Sequence, residues 1–578
     1  MLAVSKIFKK NKTVIRKTAF IMTSLILAVL LSRYFGIDHW HNYLLYLLVF
    51  VACFWSVFDI DKVLNKRLAA HAGVFSFLLT ISIFIGDKII PGSDFLRAFR
   101  WSDIAYFLAI NLVCFVLVAK VINWVSNFKL PSSKFKPGRK MWLIASVAIF
   151  ICWLPYFLVF FPGLLSPDSM EQVKQAVYGA AWSNHHPVLH TAIIWLTLHT
   201  AMFLGGDVIL GIAFYSILQM ILLSTILGYA AYWIAKHSSS KIFYLLSVLF
   251  FALNPIFATY SVTVWKDVLF GGVILLLTLQ LYDAVKDKGK KFSSPLTMLP
   301  TVCTIFLAAF LRSNGLFVAV VTLPVLAIAF RQYWKTILPV FAITVITIFT
   351  IQGPVFNALQ IRKPAFRESV GVPIQQIAYS LKHGNVSEDQ QLKLANIIDP
   401  QTMIDQYTTD TSNGIKFHKS FNSEYLNAHK SEFLLLWARI LPNNPTSYMK
   451  AYALETEGLW HIGKTGYSAA IYDNYYETDL TSNKSLLSNT INKITVESSI
   501  YNVVFNMAVA VWLVFFAVTI FLYQKRSRLL IVLLPVVILW LTLMIAAPIN
   551  YDFRYIFPIY LTIPALITLI LFKDKSKP

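Results

Sequence analysis

Two acidic residues stand where an apolar chain has least reason to place them. Asp168 lies in Phe161-Pro-Gly-Leu-Leu-Ser-Pro-Asp-Ser-Met-Glu-Gln, a polar segment just past a strongly apolar run, and Ser183-Asn-His-His-Pro187 follows it. Asp267 closes the sequence Asn254-Pro-Ile-Phe-Ala-Thr-Tyr-Ser-Val-Thr-Val-Trp-Lys-Asp, at the head of another apolar run. Carboxylates are costly at membrane depth unless they are paired or functional. At the membrane–water boundary a carboxylate can be partly desolvated and still take a proton from a water-borne reactant. That suits chemistry between a lipid-borne substrate and a soluble one. Each acid also has a plainer reading. Ser166-Pro-Asp is a good helix start, and Lys266-Asp267 fits a local ion pair or an acid at a helix N-terminus. Asp168 and Asp267 are nonetheless the candidate catalytic residues, sharing one site if they face the same side of the membrane.

Basic and imidazole side chains lie near both acids. His185 and His186 could ligate a divalent metal or hydrogen-bond a phosphate. Adjacent histidines do not easily share one ion from a helix, which favours the polar role. A divalent metal on Asp168 and Asp267 stays open, and the cofactor is otherwise unknown. Arg312, in Phe310-Leu-Arg-Ser-Asn-Gly, falls at the junction of two apolar runs and suits a phosphate at headgroup depth. A snorkelling arginine would look the same in sequence. Arg554, with Asp552 as a ready partner, carries the same ambiguity. Arg362, Lys363 and Arg367 form a further basic patch. The candidate substrate-binding residues are therefore His185, His186, Lys266, Arg312, Arg362 and Arg367. Trp460, His461, Tyr467, Tyr472, Tyr475 and Tyr476 could stack on sugars, although an interfacial aromatic belt is the default for such residues.

The elements that must position these groups are membrane helices. Of 578 residues, 57% are hydrophobic and only 13% charged, with a mean hydropathy of +0.63. Apolar runs of about 20 residues recur, each long enough to cross a bilayer core. The net charge of +22 does not describe a nucleic-acid surface. Residues 354–500 hold 13 basic and 14 acidic side chains, so the excess lies elsewhere, largely in short clusters between apolar runs. Such clusters orient a membrane protein. All four cysteines fall inside apolar runs, and no disulfide framework is implied. The basic N-terminus resembles a signal peptide but lacks a small-residue cleavage site, so the run that follows reads as a retained span.

Charge parity predicts about 14 spans: 18–34, 42–60, 70–86, 103–125, 141–161, 206–235, 242–260, 267–284, 297–312, 315–330, 336–352, 502–523, 528–548 and 555–572. The stretch 187–204 decides the count. As a full crossing it would export five downstream basic clusters; as a juxtamembrane helix it keeps them cytoplasmic, and its histidines suit an interface. Both termini are then cytoplasmic, with 162–186 and 353–500 outside. The long outer segment carries helix starts at Ser387-Glu-Asp and Ser431-Glu. The expected architecture is all-α integral membrane. It comprises an N-terminal region (1–140), a catalytic core (141–352, with outer loop 162–204), a mostly helical extracytoplasmic domain (353–500) and a C-terminal region (501–578).

An early acid in the first outer loop, a His-Pro segment, and a second acid after Asn-Pro together resemble the GT-C superfamily of integral-membrane glycosyltransferases. That superfamily includes protein O-mannosyltransferases and aminoarabinose transferases. The Pro-Gly, Asp-Ser and His-Pro motifs, with Gly371-Val-Pro-Ile-Gln-Gln-Ile-Ala, are also similar to those of bacterial multi-pass proteins of uncharacterised activity. The superfamily resemblance covers roughly 141–352. It implies a GT-C fold for the 14 spans and a sugar donor carried on polyprenyl phosphate. It further implies an extracytoplasmic glycan, teichoic-acid-like polymer, lipid or protein as acceptor, with membrane lipid and no nucleic acid as partners. Asp168 takes the role of the first-loop acid, catalytic base or acceptor-site organiser, and Asp267 that of the second-loop acid. The loop reads Pro-Asp-Ser where many members have Asp-Glu, which counts against a metal-assisted version. A polysaccharide polymerase or ligase, or a lipid or glycan transporter, are the competing functions.

Overall fold

The computed structural model describes residues 2–34, 49–54, 58, 60–90, 92–129, 135–462, 506–546 and 549–572. Part of the expected span 42–60, the start of 502–523, and Tyr467, Tyr472, Tyr475 and Tyr476 lie outside the described residues. Every named element among the described residues is a helix, as the apolar periodicity requires.

The chain divides into two compact units, Met1–Leu130 with Phe515–Arg526, and Pro131–Val514 with Ser527–Pro578. In the first, α1 (Leu2–Tyr34) is basic at its start and apolar over Thr18–Tyr34, and α2 (Lys66–Lys88) and α3 (Ser102–Asn127) are apolar helices. Lys88 reaches back to Asp103 at 2.5 Å, which joins the end of α2 to the start of α3.

The second unit contains α4 (Lys140–Val159), α5 (Pro167–Val177), α6 (Val188–Phe203), α7 (Val208–Ser238), α8 (Lys241–Leu253), α9 (Pro255–Ser261) and α10 (Lys266–Lys286). After these come α11 (Pro295–Leu311), α12 (Ser313–Ala329), α13 (Trp334–Thr350), α14 (Gly371–His383), α15 (Lys430–Ile440), α16 (Pro445–Thr456), α17 (Met507–Tyr523, whose last residues belong to the first unit) and α18 (Leu530–Ala546).

Among the described residues seven helices are long and apolar enough to cross a membrane, or eight if the bent pair α8–α9 is one span. The chain therefore has the helices of a multi-pass membrane protein. Several stretches expected as full spans form shorter helices. Those of α11 and α12, at 17 residues each, reach about 25 Å. The expected span 242–260 is broken at Asn254-Pro255, where the axis turns by 58°; Pro255 supplies no amide hydrogen to continue α8. The stretch expected at the interface forms the 16-residue α6.

Helix α10 is the centre of its unit. Of its apolar window 78% is buried, against 22 to 50% for the other long helices, whose outer faces remain apolar and exposed. The first turn of α10 carries both Lys266 and Asp267, so these two side chains are held by the best-packed element of the unit. The segment 162–169 is tied to the residues just before α10. Leu164 N donates to Val262 O and Val264 N to Leu164 O, both at 2.9 Å. Trp265 Nε1 donates to Ser166 Oγ at 2.6 Å and Ser169 Oγ to Val264 O at 2.5 Å.

Candidate active site

Asp168 is set by the local chemistry of its helix start. Ser166 caps α5, forming a reciprocal capping box with Ser169, and Pro167 occupies the first turn where no amide hydrogen is needed. The helix-start and functional readings of this segment are compatible. The cap belongs to Ser166, which frees the Asp168 carboxylate for other partners.

Those partners are cations from two distant parts of the chain. Lys266 Nζ lies 2.9 Å from Asp168 Oδ2, and Arg554 Nη1 lies 3.1 Å from the same oxygen. The Asp168 side chain is 30% exposed, whereas Lys266 and Arg554 are at 15% and 10%. The carboxylate thus forms the open edge of an otherwise buried cluster. Lys266 Nζ also donates to His186 Nδ1 at 3.2 Å. His185 packs its ring edge-on against His186, with centroids 4.5 Å apart.

A second layer extends from Arg554. Its Nε meets Asp552 Oδ2 at 2.8 Å, and Nη2 donates to Tyr555 Oη at 2.9 Å. The guanidinium lies over the Trp265 and Tyr555 rings at 5.4 and 4.8 Å. Arg312 approaches the Tyr555 ring at 4.9 Å and is ion-paired with Asp267. Arg312 is the single extended residue between α11 and α12. Gly315 permits this close turn, because a Cβ there would overlap Ala308 O. Asp267 and Arg312 are nearly inaccessible, at 1% and 6%. Asp168, Lys266, Arg554 and Asp552 therefore form one ion-paired group and Arg312 with Asp267 a second, and the Tyr555 ring between the two guanidiniums joins them into one cluster.

The electrostatics follow from this arrangement. Burial would raise the Asp168 carboxyl, but the Lys266 and Arg554 charges outweigh it and hold the acid well below the usual carboxylate range. Burial and the neighbouring Lys266 charge push His186 down to about 2, so it is a neutral acceptor for the lysine. Burial would favour losing the Arg554 proton; Asp552, Tyr555 and Asp168 reverse that and keep the guanidinium charged.

Two sequence candidates fall elsewhere. The Arg362 side chain is exposed, while its backbone pairs with Trp182 O and Asn184 N at 2.9 and 2.8 Å. It braces the loop carrying His185 and His186. Arg367 contacts Glu368, Lys416 O and the Phe417 ring, and none of these belongs to the cluster. The donor set does not fit a divalent metal between Asp168 and Asp267. Each carboxylate is engaged by cationic side chains, and among the described residues no three His, Cys, Asp or Glu groups converge on a metal site.

Arg554, ambiguous in the sequence between a snorkelling and a functional arginine, is a full member of the cluster. Its signal was Asp552-Phe-Arg-Tyr, a polar break ahead of an apolar run. Gln172, His190, Tyr215 and Gln219 form a buried layer behind Asp168 that sequence reading did not assign; a glutamine inside the long apolar α7 was the available clue.

Residues 179–577 match the model of a family described as a family of unknown function (DUF6020). The chain belongs to that family. The matched region holds every cluster residue except Asp168, which lies just ahead of it. No curated protein and no solved structure matches the chain.

Proposed function

We propose that this member of the family is a membrane glycosyltransferase of GT-C type. It moves a sugar from a polyprenyl-phosphate donor to an extracytoplasmic glycan, teichoic-acid-like polymer, lipid or protein. In this reading the shorter helices complete about 14 spans, both termini are cytoplasmic, and the Asp168 cluster faces outside. The observation that carries the proposal is the convergence of Lys266 and Arg554 on one oxygen of a part-exposed carboxylate.

That geometry gives a reaction sequence. A donor phosphate arriving at the cluster competes for Lys266 and Arg554. As those cations turn to phosphate, Asp168 loses its strongest stabilisation as an anion and becomes a better base. An acceptor hydroxyl then gives its proton to Asp168 while its oxygen attacks the anomeric carbon. The carbon–oxygen bond to phosphate breaks, and polyprenyl phosphate leaves with the electron pair. Lys266 and Arg554 stabilise that leaving anion. Asp267 neutralises Arg312 and fixes it beside Tyr555, supporting Arg554 from the buried side. Retaining the donor's lipid in the bilayer supplies proximity.

A transporter is the second reading, and the 58° break between α8 and α9 favours it, because broken helices are a transporter feature. Against it, Lys266 and Asp267 occupy the first turn of the 21-residue α10. They lie at one end of a membrane-length helix and not at its midpoint. The discriminating experiment supplies membranes containing the chain with a panel of radiolabelled polyprenyl-phosphate hexoses and pentoses. Label passing into a non-lipid or new lipid product supports transfer; label crossing the bilayer with its donor intact supports transport.

A further inference from the structure

We infer that His190 is a positioning residue, a neutral imidazole protonated at Nε2 that holds Asp168 in register with Lys266. The claim concerns where the carboxylate stands, so it holds for any chemistry performed there.

His190 is fully buried and is the centre of a relay joining four elements. Its Nδ1 lies 2.9 Å from Gln172 Oε1 on α5, one turn beyond Asp168. Gln172 Nε2 lies 2.8 Å from Thr191 Oγ1 on α6. On the other ring nitrogen, Nε2 lies 2.7 Å from Tyr215 Oη on α7, and Tyr215 Oη lies 2.9 Å from Gln219 Oε1. Gln219 Nε2 reaches the carbonyls of Tyr260, Ser261 and Thr263 at 3.1, 3.0 and 2.7 Å. Those carbonyls immediately precede Trp265-Lys266. One end of the relay therefore holds the helix of Asp168, and the other holds the turn that delivers Lys266.

The protons can be assigned by counting donors and acceptors. Three carbonyls fix the Gln219 amide nitrogen, so its oxygen must face Tyr215 and accept that hydroxyl's only proton. The Tyr215 oxygen can then only accept from His190, which places a proton on Nε2. With Gln172 Oε1 facing Nδ1, both ring nitrogens would have to donate, leaving a fully buried imidazolium with no acid among its hydrogen-bond partners. Burying such a charge is costly. A half-turn of the Gln172 amide removes the conflict. Its nitrogen then donates to Nδ1 and the Thr191 hydroxyl donates to its oxygen, over the same distances. The neutral Nε2–H tautomer satisfies every member of the relay.

The test uses the full-length protein in lipid bilayers, with magic-angle NMR on ¹⁵N-histidine and ¹³C-aspartate labels. His190 and Asp168 are identified by the signals lost in His190→Gln and Asp168→Asn. The expected His190 spectrum shows a protonated Nε2 and a bare Nδ1 at neutral pH; a proton on Nδ1 overturns the assignment. The second readout is the Asp168 carboxyl titration. In His190→Leu, and in the milder Tyr215→Phe, Asp168 should take up its proton at higher pH than in wild type, because its contact with Lys266 is loosened. His190→Gln, which keeps an N–H towards Tyr215, should restore part of the wild-type behaviour. An Asp168 titration unchanged in both His190→Leu and Tyr215→Phe contradicts the positioning role.

Discussion

Asp168 and Arg554 are 386 positions apart in sequence, yet Arg554 Nη1 lies 3.1 Å from Asp168 Oδ2. With Lys266 on the same oxygen, this contact closes the site between the short helix after the first apolar run of the second unit and the turn before its last one. Replacing Arg554 by Gln should reduce transfer on the order of 100-fold, because one charged donor to the leaving phosphate is lost. Replacement by Lys should recover only part of that, since a point charge cannot contact Asp168, Asp552 and Tyr555 together. Rates measured with a labelled polyprenyl-phosphate sugar check both expectations.

The buried pair Asp267–Arg312 should behave differently from Asp168. Removing either partner leaves an uncompensated buried charge and should cost about 3–5 kcal/mol of stability. Asp267→Asn and Arg312→Gln are therefore each expected to lower the melting temperature in detergent strongly. The double variant should be less destabilised than the sum of the two. Additive losses would contradict the direct pairing.

The acid response has a defined sign. His186 is held down to about 2 in the folded chain, below its unfolded value of about 6.5. The unfolded chain thus takes up a proton that the folded chain does not, and stability falls as pH drops below that unfolded value. Asp168 has its folded value depressed, so its contribution is complete above about 3.9 and is lost only as pH falls through the folded value. Thermal melts from pH 8 to pH 5 should show a decline for wild type that is shallower in His186→Gln, the buried neutral His190 contributing to what remains. An equal slope in both would place the proton uptake elsewhere.

Asn550 braces the turn that carries Arg554. Its Nδ2 donates to Leu454 O and its Oδ1 accepts from Gly458 N, each at 2.8 Å. A Cβ on Gly458 would come within 2.8 Å of both Asn550 Oδ1 and Tyr551 Cδ1. Asn550→Ala should cost about 1–3 kcal/mol from the buried groups left unpaired. Gly458→Ala should lower transfer by shifting the Asp552–Arg554 turn. Wild-type activity and melting temperature in both variants would show the brace to be dispensable.

Much of the cluster is legible in the sequence because lysine, arginine and aspartate are conspicuous at the ends of apolar runs. Asp168, Lys266, Asp267, Arg312 and His186 all follow from that contrast, as do the multi-pass class and the helix starts at Ser166 and Ser387. Which charge meets which is not legible. Apolar periodicity says that a helix has a lipid or protein face without naming the neighbour, so the meeting of Arg554 with Asp168 depends on packing around α10. The same limit explains Arg367, whose type matched the phosphate role but whose partners are Glu368 and Phe417. Gln172 is uncharged and carries no sequence signal of function, and Gln219 stands out only as a polar residue within the apolar run of α7. The buried contacts of the two reveal what they hold.

The most direct measurement is transfer of labelled sugar from polyprenyl phosphate by the purified protein in lipid, wild type against Asp168→Asn. Asparagine preserves the shape of the side chain but neither takes a proton nor neutralises Lys266 and Arg554. The proposal predicts transfer by wild type and a loss of about 10²- to 10⁴-fold in the variant, with donor binding no weaker than in wild type, because the carboxylate no longer competes for Lys266 and Arg554. Undiminished transfer by Asp168→Asn would contradict it.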